Sequence, residues 1–219
     1  MTTRRPVPRA AFAVCLALAL ALALGACASD PPTRFHSLLP GQAPRSPVPA
    51  AGASPGGPAT PVSIALAPLR VPVQVDQPQW LVRLPDDSLQ LLEQDRWAAP
   101  LRDELHAALL EALALRWNAT DSRTPGGGPA PGWRIVVDVT RFESMLGREA
   151  RLEARWSIAA TAAGAPMLAC HSVLREAADT PIAIAQAHRR AVVRLADAIG
   201  VPLQALAKGL VARCAPVDG

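Results

Sequence analysis

Two patterns of apolar and polar positions follow one another along this chain, and their order predicts its elements. Ile64 and Leu66 alternate with small residues, and Leu69, Val71, Val73 and Val75 continue a two-residue period against Arg70, Pro72 and Gln74. Pro72 cannot donate to a ladder, so this second run predicts an edge position or an irregularity. Residues 80–83 and 88–92 predict a short pair of strands joined through Pro85-Asp86-Asp87, residues suited to a turn. Two longer strands come later. In the first, Trp133, Ile135, Val137 and Val139 alternate with Arg134, Val136, Asp138 and Thr140; in the second, Leu152, Ala154, Trp156 and Ile158 alternate with Arg151, Glu153, Arg155 and Ser157. Such alternation predicts a sheet with one packed face and one wet face. Residues 167–174 supply a third strand, which carries Cys170.

The helical period occurs twice. Pro100 suits a first helical turn, and Leu101, Leu105, Ala108, Leu109 and Ala112 form one stripe, with Arg102, Asp103, His106 and Arg116 off it. This helix should end near Trp117-Asn118, followed by a Gly/Pro loop over residues 120–131. Thr180 then caps a helix whose first residue is Pro181 and whose buried stripe is Ile184, Ala187, Ala191, Leu195 and Ile199. Gly200 and Pro202 predict an interruption, with a short helix over residues 203–212 beyond it. The expected fold is α/β: a single-domain sandwich, over residues 62–214, of a mixed β-sheet packed by two main α-helices. Residues 34–39 are a candidate short strand ahead of it. The segment 40–61 is dense in Pro, Gly, Ala and Ser without apolar periodicity, and is expected to be flexible.

The N-terminus changes this picture most. Arg4, Arg5 and Arg9 precede an uncharged apolar run over residues 10–24. A run of roughly 15 residues fits a secretory signal better than a span of about 20. It ends in Leu24-Gly25-Ala26-Cys27, which matches the bacterial lipobox. Residues 1–26 are therefore expected to be removed and Cys27 to carry an N-acyl diacylglyceryl lipid. The competing reading is an ordinary signal cleaved at a small-x-small site beside a cysteine. Ala28 and Ser29 stand where an inner-membrane retention signal would have Asp, which favours the periplasmic face of the outer membrane. If the strand at Phe35 docks on the domain, the tether shrinks to residues 28–32.

The leader also accounts for the charge. The whole chain has 22 Lys+Arg against 18 Asp+Glu, or +4, and three of the arginines lie in the leader, leaving 19 against 18, or +1. Without a basic cluster interleaved with aromatics, no nucleic-acid partner is expected. Of the four cysteines, Cys15 leaves with the leader and Cys27 is lipidated. Cys170 and Cys214 remain, either as two buried thiols or as a disulfide, which an oxidising compartment favours.

Catalytic constellations are not evident. His36, His106, His171 and His188 show no metal-ligand spacing, and Cys170 and His171, as strand neighbours, point to opposite faces. Gly126-Gly127-Gly128 lacks the Lys-Ser/Thr ending of a phosphate loop and precedes a strand. Asp86-Asp87 and Asp103-Glu104 read as solvated pairs. The chain is thus not expected to be an enzyme, nor to need a cofactor beyond the lipid on Cys27. Trp80 and Trp97 lie outside the clearest buried stripes, so each either caps a sheet edge or belongs to a contact patch.

The stretch Val75-Asp76-Gln77-Pro78-Gln79-Trp80-Leu81-Val82-Arg83 resembles the "L-D-R-P-Q-I-V-x-R" signature of the PqiC/YmbA-type ABC-transport auxiliary lipoproteins. Arg96-Trp97-Ala98-Ala99-Pro100-Leu101 is similar to that family's "R-W-A-E-P-L" run, and Phe35-His36-Ser37-Leu38 to its "Y-Y-x-L" opening strand. Residues 138–143 and 152–156 resemble its paired later strands. Gln77 and Trp80 depart from the usual Arg and aliphatic residue, and the insertion after Leu39 is long. The resemblance implies an accessory of an intermembrane transport system, working with an MCE-domain protein and an inner-membrane permease that move phospholipid or other hydrophobic molecules. It implies docking of that system to the outer membrane, contact through Asp76, Pro78, Gln79, Trp80, Arg83 and Trp97, and a homo-oligomer around a tunnel. A stand-alone lipid-binding lipoprotein and an outer-membrane assembly lipoprotein are the alternatives.

Overall fold

Side-chain phase along one long strand organises the molecule. The computed structural model describes residues 31–40, 61–123, 132–162 and 167–215. The leader, Cys27, residues 41–60 and the Gly126-Gly127-Gly128 loop lie outside the described residues. The compact unit begins at Thr33. Its strands are β1 (Arg34–His36), β2 (Val62–Leu66), β3 (Gln79–Arg83), β4 (Leu89–Trp97), β5 (Ala119–Asp121), β6 (Trp133–Met145), β7 (Glu149–Ala160) and β8 (Met167–Ala177); its helices are α1 (Leu101–Trp117) and α2 (Pro181–Ala207).

β6 is the spine. Along one edge it pairs antiparallel with β7, which pairs antiparallel with β8. Its other edge is shared by three segments in turn: β2, parallel, against residues 133–135; Arg70, as an isolated bridge to Asp138; and β3, parallel, against Ser144 and Met145. β5 extends the sheet from β2, while β4 and then β1 extend it from β3, so the described strands form one mixed eight-stranded sheet. Ile135, Val137 and Val139 are buried, and an irregularity between Val139 and Arg141 then shifts the phase, so that Phe142 and Ser144 continue the same packed side. Leu152, Ala154, Trp156 and Ile158 face the same way from β7, beneath Leu105, Leu109 and Leu113 of α1 and Ile184, Leu195 and Ile199 of α2. The expected single α/β domain with two helices is what the chain forms.

Local chemistry sets the helix ends. Pro100 sits just before α1, and its carbonyl accepts from the amides of Asp103 and Glu104. Asp103 and Glu104 in the first turn and Arg116 in the last suit the helix dipole, and Asn118 closes the helix at φ 51°. Thr180 caps α2 by accepting from the Ala183 amide at 3.2 Å, with proline at the next position.

Several expectations are corrected. Residues 69–75 form no strand: Pro68 and Pro72 remove donors, only Arg70 reaches β6, and a turn closed by the Val75 amide on the Pro72 carbonyl (3.1 Å) leaves Val73 87% exposed. The stretch expected as loop after α1 begins with β5, parallel to β2. Gly200 and Pro202 do not interrupt α2, which runs on to Ala207. Its last turns are held by packing that outweighs the missing proline donor: Leu203 is fully buried, and Gln204 Nε2 donates to the Trp117 carbonyl at 2.9 Å. Trp80 and Trp97 are buried (1% and 5% exposed), because the strand extends through Trp97 and turns both indoles under the helices. The segment at Phe35 docks as β1, in parallel register with Asp95–Trp97. Cys170 and Cys214 are bridged, Cα to Cα 5.6 Å, tying the tail beyond α2 to edge strand β8.

A Cβ at Gly200 would lie 2.2 Å from Trp117 Cγ, a rigid ring held in place by its Nε1 hydrogen bond to Asp197 at 3.0 Å. Gly200→Ala should therefore destabilise the domain by roughly 1–3 kcal/mol in urea unfolding, despite alanine's higher helix propensity. Reduction of the disulfide should cost at most about 4 kcal/mol, the loop-closure value for such a span. Hydrogen exchange should show the loss concentrated in residues 209–215, with β6 and β7 still protected.

Candidate functional site

The three-residue strand β1 is held far more tightly than its length would suggest. Asp95, two residues before Trp97 on the packed side of β4, is 3% exposed. Its carboxylate accepts from Arg34 Nε and Nη2 at 2.9 and 2.6 Å and from His36 Nε2 at 2.8 Å. Burial pushes the Asp95 carboxyl up, but these hydrogen bonds and the guanidinium charge outweigh it and hold it below the usual carboxylate range. Glu104, on the buried stripe of α1, accepts from Ser37 Oγ and the Leu38 amide, each at 2.7 Å. Arg189 Nε of α2 donates to the Ser37 carbonyl at 2.7 Å. Residues 34–38 thus form a strap fastened to β4, α1 and α2 at once.

Rings continue the connection inward. His36 packs on Trp80 (4.2 Å between centroids), Trp80 on Trp97 (4.7 Å), and Trp97 meets Phe142 and His188 edge-on at 5.9 and 6.2 Å. Phe142 and His188 stack at 3.9 Å with 12° between their planes. His188 Nε2 lies 2.9 Å from Ser144 Oγ, and burial pushes its pKa down to about 3. A serine beside a neutral histidine superficially resembles a nucleophile and its base. Both are buried, at 4% and 0% exposure, and His188 Nδ1 has no partner among the described residues. Among the described residues no carboxylate pairs with this imidazole, and the two side chains pack inside the domain beside Phe142.

The candidate contact residues fall into two groups. Asp76 pairs with Arg102 at the start of α1, the Pro78 carbonyl accepts from the Trp97 amide at 2.9 Å, and Trp80 lies against Trp97, so these residues meet at one corner. Arg83 lies at the far end of β3, donating to Glu143 and to the Asp87 carbonyl, each at 3.0 Å. Trp80 and Trp97 face inward, so the contact patch expected of them is instead part of the core. What faces out from the β1–β4–β3 ribbon is a cross-strand row of Phe35, Arg96 and Gln79, continued by the apolar residues opposite Leu81 and Arg83. Phe35 is 66% exposed, Leu89 56% and Leu91 41%. Sequence reading missed Asp95, Glu104 and His188. Glu104 stands three residues after Leu101, on the apolar stripe itself, and Asp95 shares a strand face with Trp97, which are the signals that could have found two of them.

Comparisons with known proteins accord with this geometry. The family model for the ABC-type transport auxiliary lipoprotein component matches residues 45–200. No curated protein matches the chain. Among solved structures it is similar to one described only as an uncharacterized protein (13% identity, TM-score 0.58, covering 79% of this chain and 99% of that one). It is also similar to a DUF330-family protein from Xanthomonas campestris (18% identity, TM-score 0.55, 71% and 92% covered). At such identities these structures support the fold.

The buried imidazole makes stability depend on pH. Between about pH 3 and 6.5 the unfolded chain holds a proton at His188 that the folded chain does not, so stability rises with pH across that window. Urea unfolding should show a gain of roughly 1.5–2 kcal/mol from pH 5.0 to 6.5 attributable to this residue. His188→Phe should remove that part of the slope; an unchanged profile would place the imidazole in contact with solvent.

Proposed function

The chain belongs to the ABC-type transport auxiliary lipoprotein family, and from that premise we propose that it is an outer-membrane-anchored periplasmic adaptor of an intermembrane lipid transporter. Membership already makes it a membrane-associated auxiliary component of a transport system. The finer reading assigns it an MCE-domain protein and an inner-membrane permease as partners, with binding and positioning as its contribution and no reaction of its own. In this reading several copies surround the tunnel, and Cys27 carries the acyl chains.

The fastened strap carries the proposal. From Cys27 to Arg34 there are seven Cα–Cα steps, which reach at most about 25 Å. A lipid on Cys27 would therefore keep the β1 end of the sheet close to the membrane surface, and the strap cannot lengthen without exposing Asp95 and Glu104. The outward row of Phe35, Arg96 and Gln79 lies on that same strap and its neighbours, so the surface offered to a partner is positioned by the anchor. An autonomous lipid carrier would need an apolar cavity between sheet and helices. Among the described residues the middle of that space is filled by Trp80, Trp97, Phe142 and Leu109, and what remains is an open cleft of about 350 Å³ at the edge between β8 and α2, which favours the adaptor.

A photo-reactive residue placed at Phe35, Gln79 or Arg96 in cells should crosslink an MCE-domain protein, whereas one at Arg155, on the opposite wing of the sheet, should not. Arg96→Glu with Gln79→Asp should lower co-purification of that partner roughly tenfold while leaving urea stability unchanged. Crosslinks to an outer-membrane β-barrel would transfer the chain to envelope assembly, and no crosslink at any of the three positions would end the adaptor reading.

A further inference from the structure

The uncovered face of the sheet is not evenly charged. Far from the β6–β7 turn it carries little facing charge, with Arg134 opposite Ala159 and Val136 opposite Ser157, and charge collects toward the turn, where Asp138 faces Arg155, Arg141 faces Glu153 and Glu143 faces Arg151. At the end near the β6–β7 turn, five arginines converge around an open basin of about 500 Å³: Arg83, Arg141, Arg148, Arg151 and Arg175. Three carboxylates, Asp87, Glu143 and Glu149, share the lining. We propose that this basin binds a phosphate-bearing anion.

The vertical arrangement of charge is the first argument. Glu143 lies 3.0 Å from Arg83 and 3.6 Å from Arg141, and Glu153 pairs with Arg151 and lies 3.4 Å from Arg141. These two carboxylates are the more buried members, with side chains 20% and 14% exposed against 45% for Arg141 and 28% for Arg83. They hold the guanidiniums from below; with Asp87 and Glu149 on the rim, five arginines stand against four carboxylates, an excess of one positive charge. The second argument is what remains unpaired. Arg148 and Arg175 are exposed and have no carboxylate partner among the described residues, and Arg175 stands directly opposite Arg151 in the β7–β8 register. Like charges facing each other across strands are destabilising, and an anion between them would reverse the sign of that contact.

The basin is also rigid where it matters. Gly147, at φ 72°, makes the tight β6–β7 turn, the Arg148 amide donates to the Met145 carbonyl at 3.1 Å, and the Arg148 carbonyl accepts from the Ala178 amide at 3.0 Å. The Arg148 backbone is thus fixed on both sides before any ligand arrives. Planar guanidinium forks match the oxygens of phosphate, and a volume of this size suits a headgroup-sized anion. A phospholipid headgroup and a soluble phosphate share this chemistry. The site shares Arg83 with the far end of β3 but none of Phe35, Gln79 and Arg96, and its occupancy does not depend on the adaptor reading.

The test uses the chain from residue 28 onward, which keeps the whole compact unit from Thr33 and has no acyl anchor of its own. Nuclear magnetic resonance titration with inorganic phosphate and with glycerol 3-phosphate forms one arm. Sedimentation with phosphatidylcholine vesicles, with and without phosphatidylglycerol, forms the other. Arg148→Ala with Arg175→Ala should weaken binding about tenfold, and Arg155→Ala, on the same face outside the basin, should leave it within twofold. Saturable shifts at residues 148, 151 and 175 with the soluble anions would support the site with a free phosphate as ligand. Phosphatidylglycerol-dependent sedimentation without them would support it with a lipid headgroup. Equal losses in the two variants would reduce the basin to diffuse surface charge, and binding in neither arm would overturn the proposal.

Discussion

A buried carboxylate must be paired, and Asp95 is the residue on which that constraint falls hardest. Left alone under the helices, its charge would cost several kcal/mol; Arg34 and His36 supply the donors from a strand sixty residues away. Glu104 imposes the same demand on the other side and is met by Ser37 and the Leu38 amide. These two carboxylates turn a three-residue strand into a fixed part of the domain. His36, once docked, begins the ring stack that ends at His188 on α2. The chain segment nearest the lipidation motif is therefore coupled mechanically to the core.

The sheet separates two kinds of work. Its packed side is closed by apolar and aromatic side chains, including the two tryptophans that the alternation pattern had left unassigned. Its open side keeps charge in water, and that charge collects near the β6–β7 turn, where Arg151 also faces Arg175 across β7 and β8. That division is the ordinary consequence of period-two patterning. Here it places a prospective partner surface on the β1–β4–β3 ribbon and an arginine basin around the β6–β7 turn, the two meeting at Arg83. Such placement suits a protein whose proposed work is positioning.

Much of this was legible one segment at a time. Alternation at residues 133–140 and 151–158 identified the central strands, the stripe from Leu101 to Ala112 identified α1, and Thr180-Pro181 marked the start of α2. Where local rules failed, distant contacts had overruled them. Gly200 and Pro202 read as a break, yet the glycine is there because Trp117 occupies the space a side chain would need. Val71, Val73 and Val75 read as a strand, yet β6 had already committed its edge to β2, Arg70 and β3, leaving no ladder for them.

By itself the sequence determined what depends on neighbours in the chain: the period of each element, the caps, and a family resemblance running through Val75–Arg83 and Arg96–Leu101, beside the expectation of a leader ending at Cys27. It also narrowed Cys170 and Cys214 to two outcomes, and the tertiary structure, which brings their Cα atoms within 5.6 Å, chose the bridge. Only the tertiary structure decided that Trp80 and Trp97 face inward, that Asp95 is paired by the strap, and that five arginines share one basin. The reason is physical. Burial and charge pairing are set by which segments meet in space, and parallel pairings such as β1 with β4 join residues sixty positions apart that no local pattern connects.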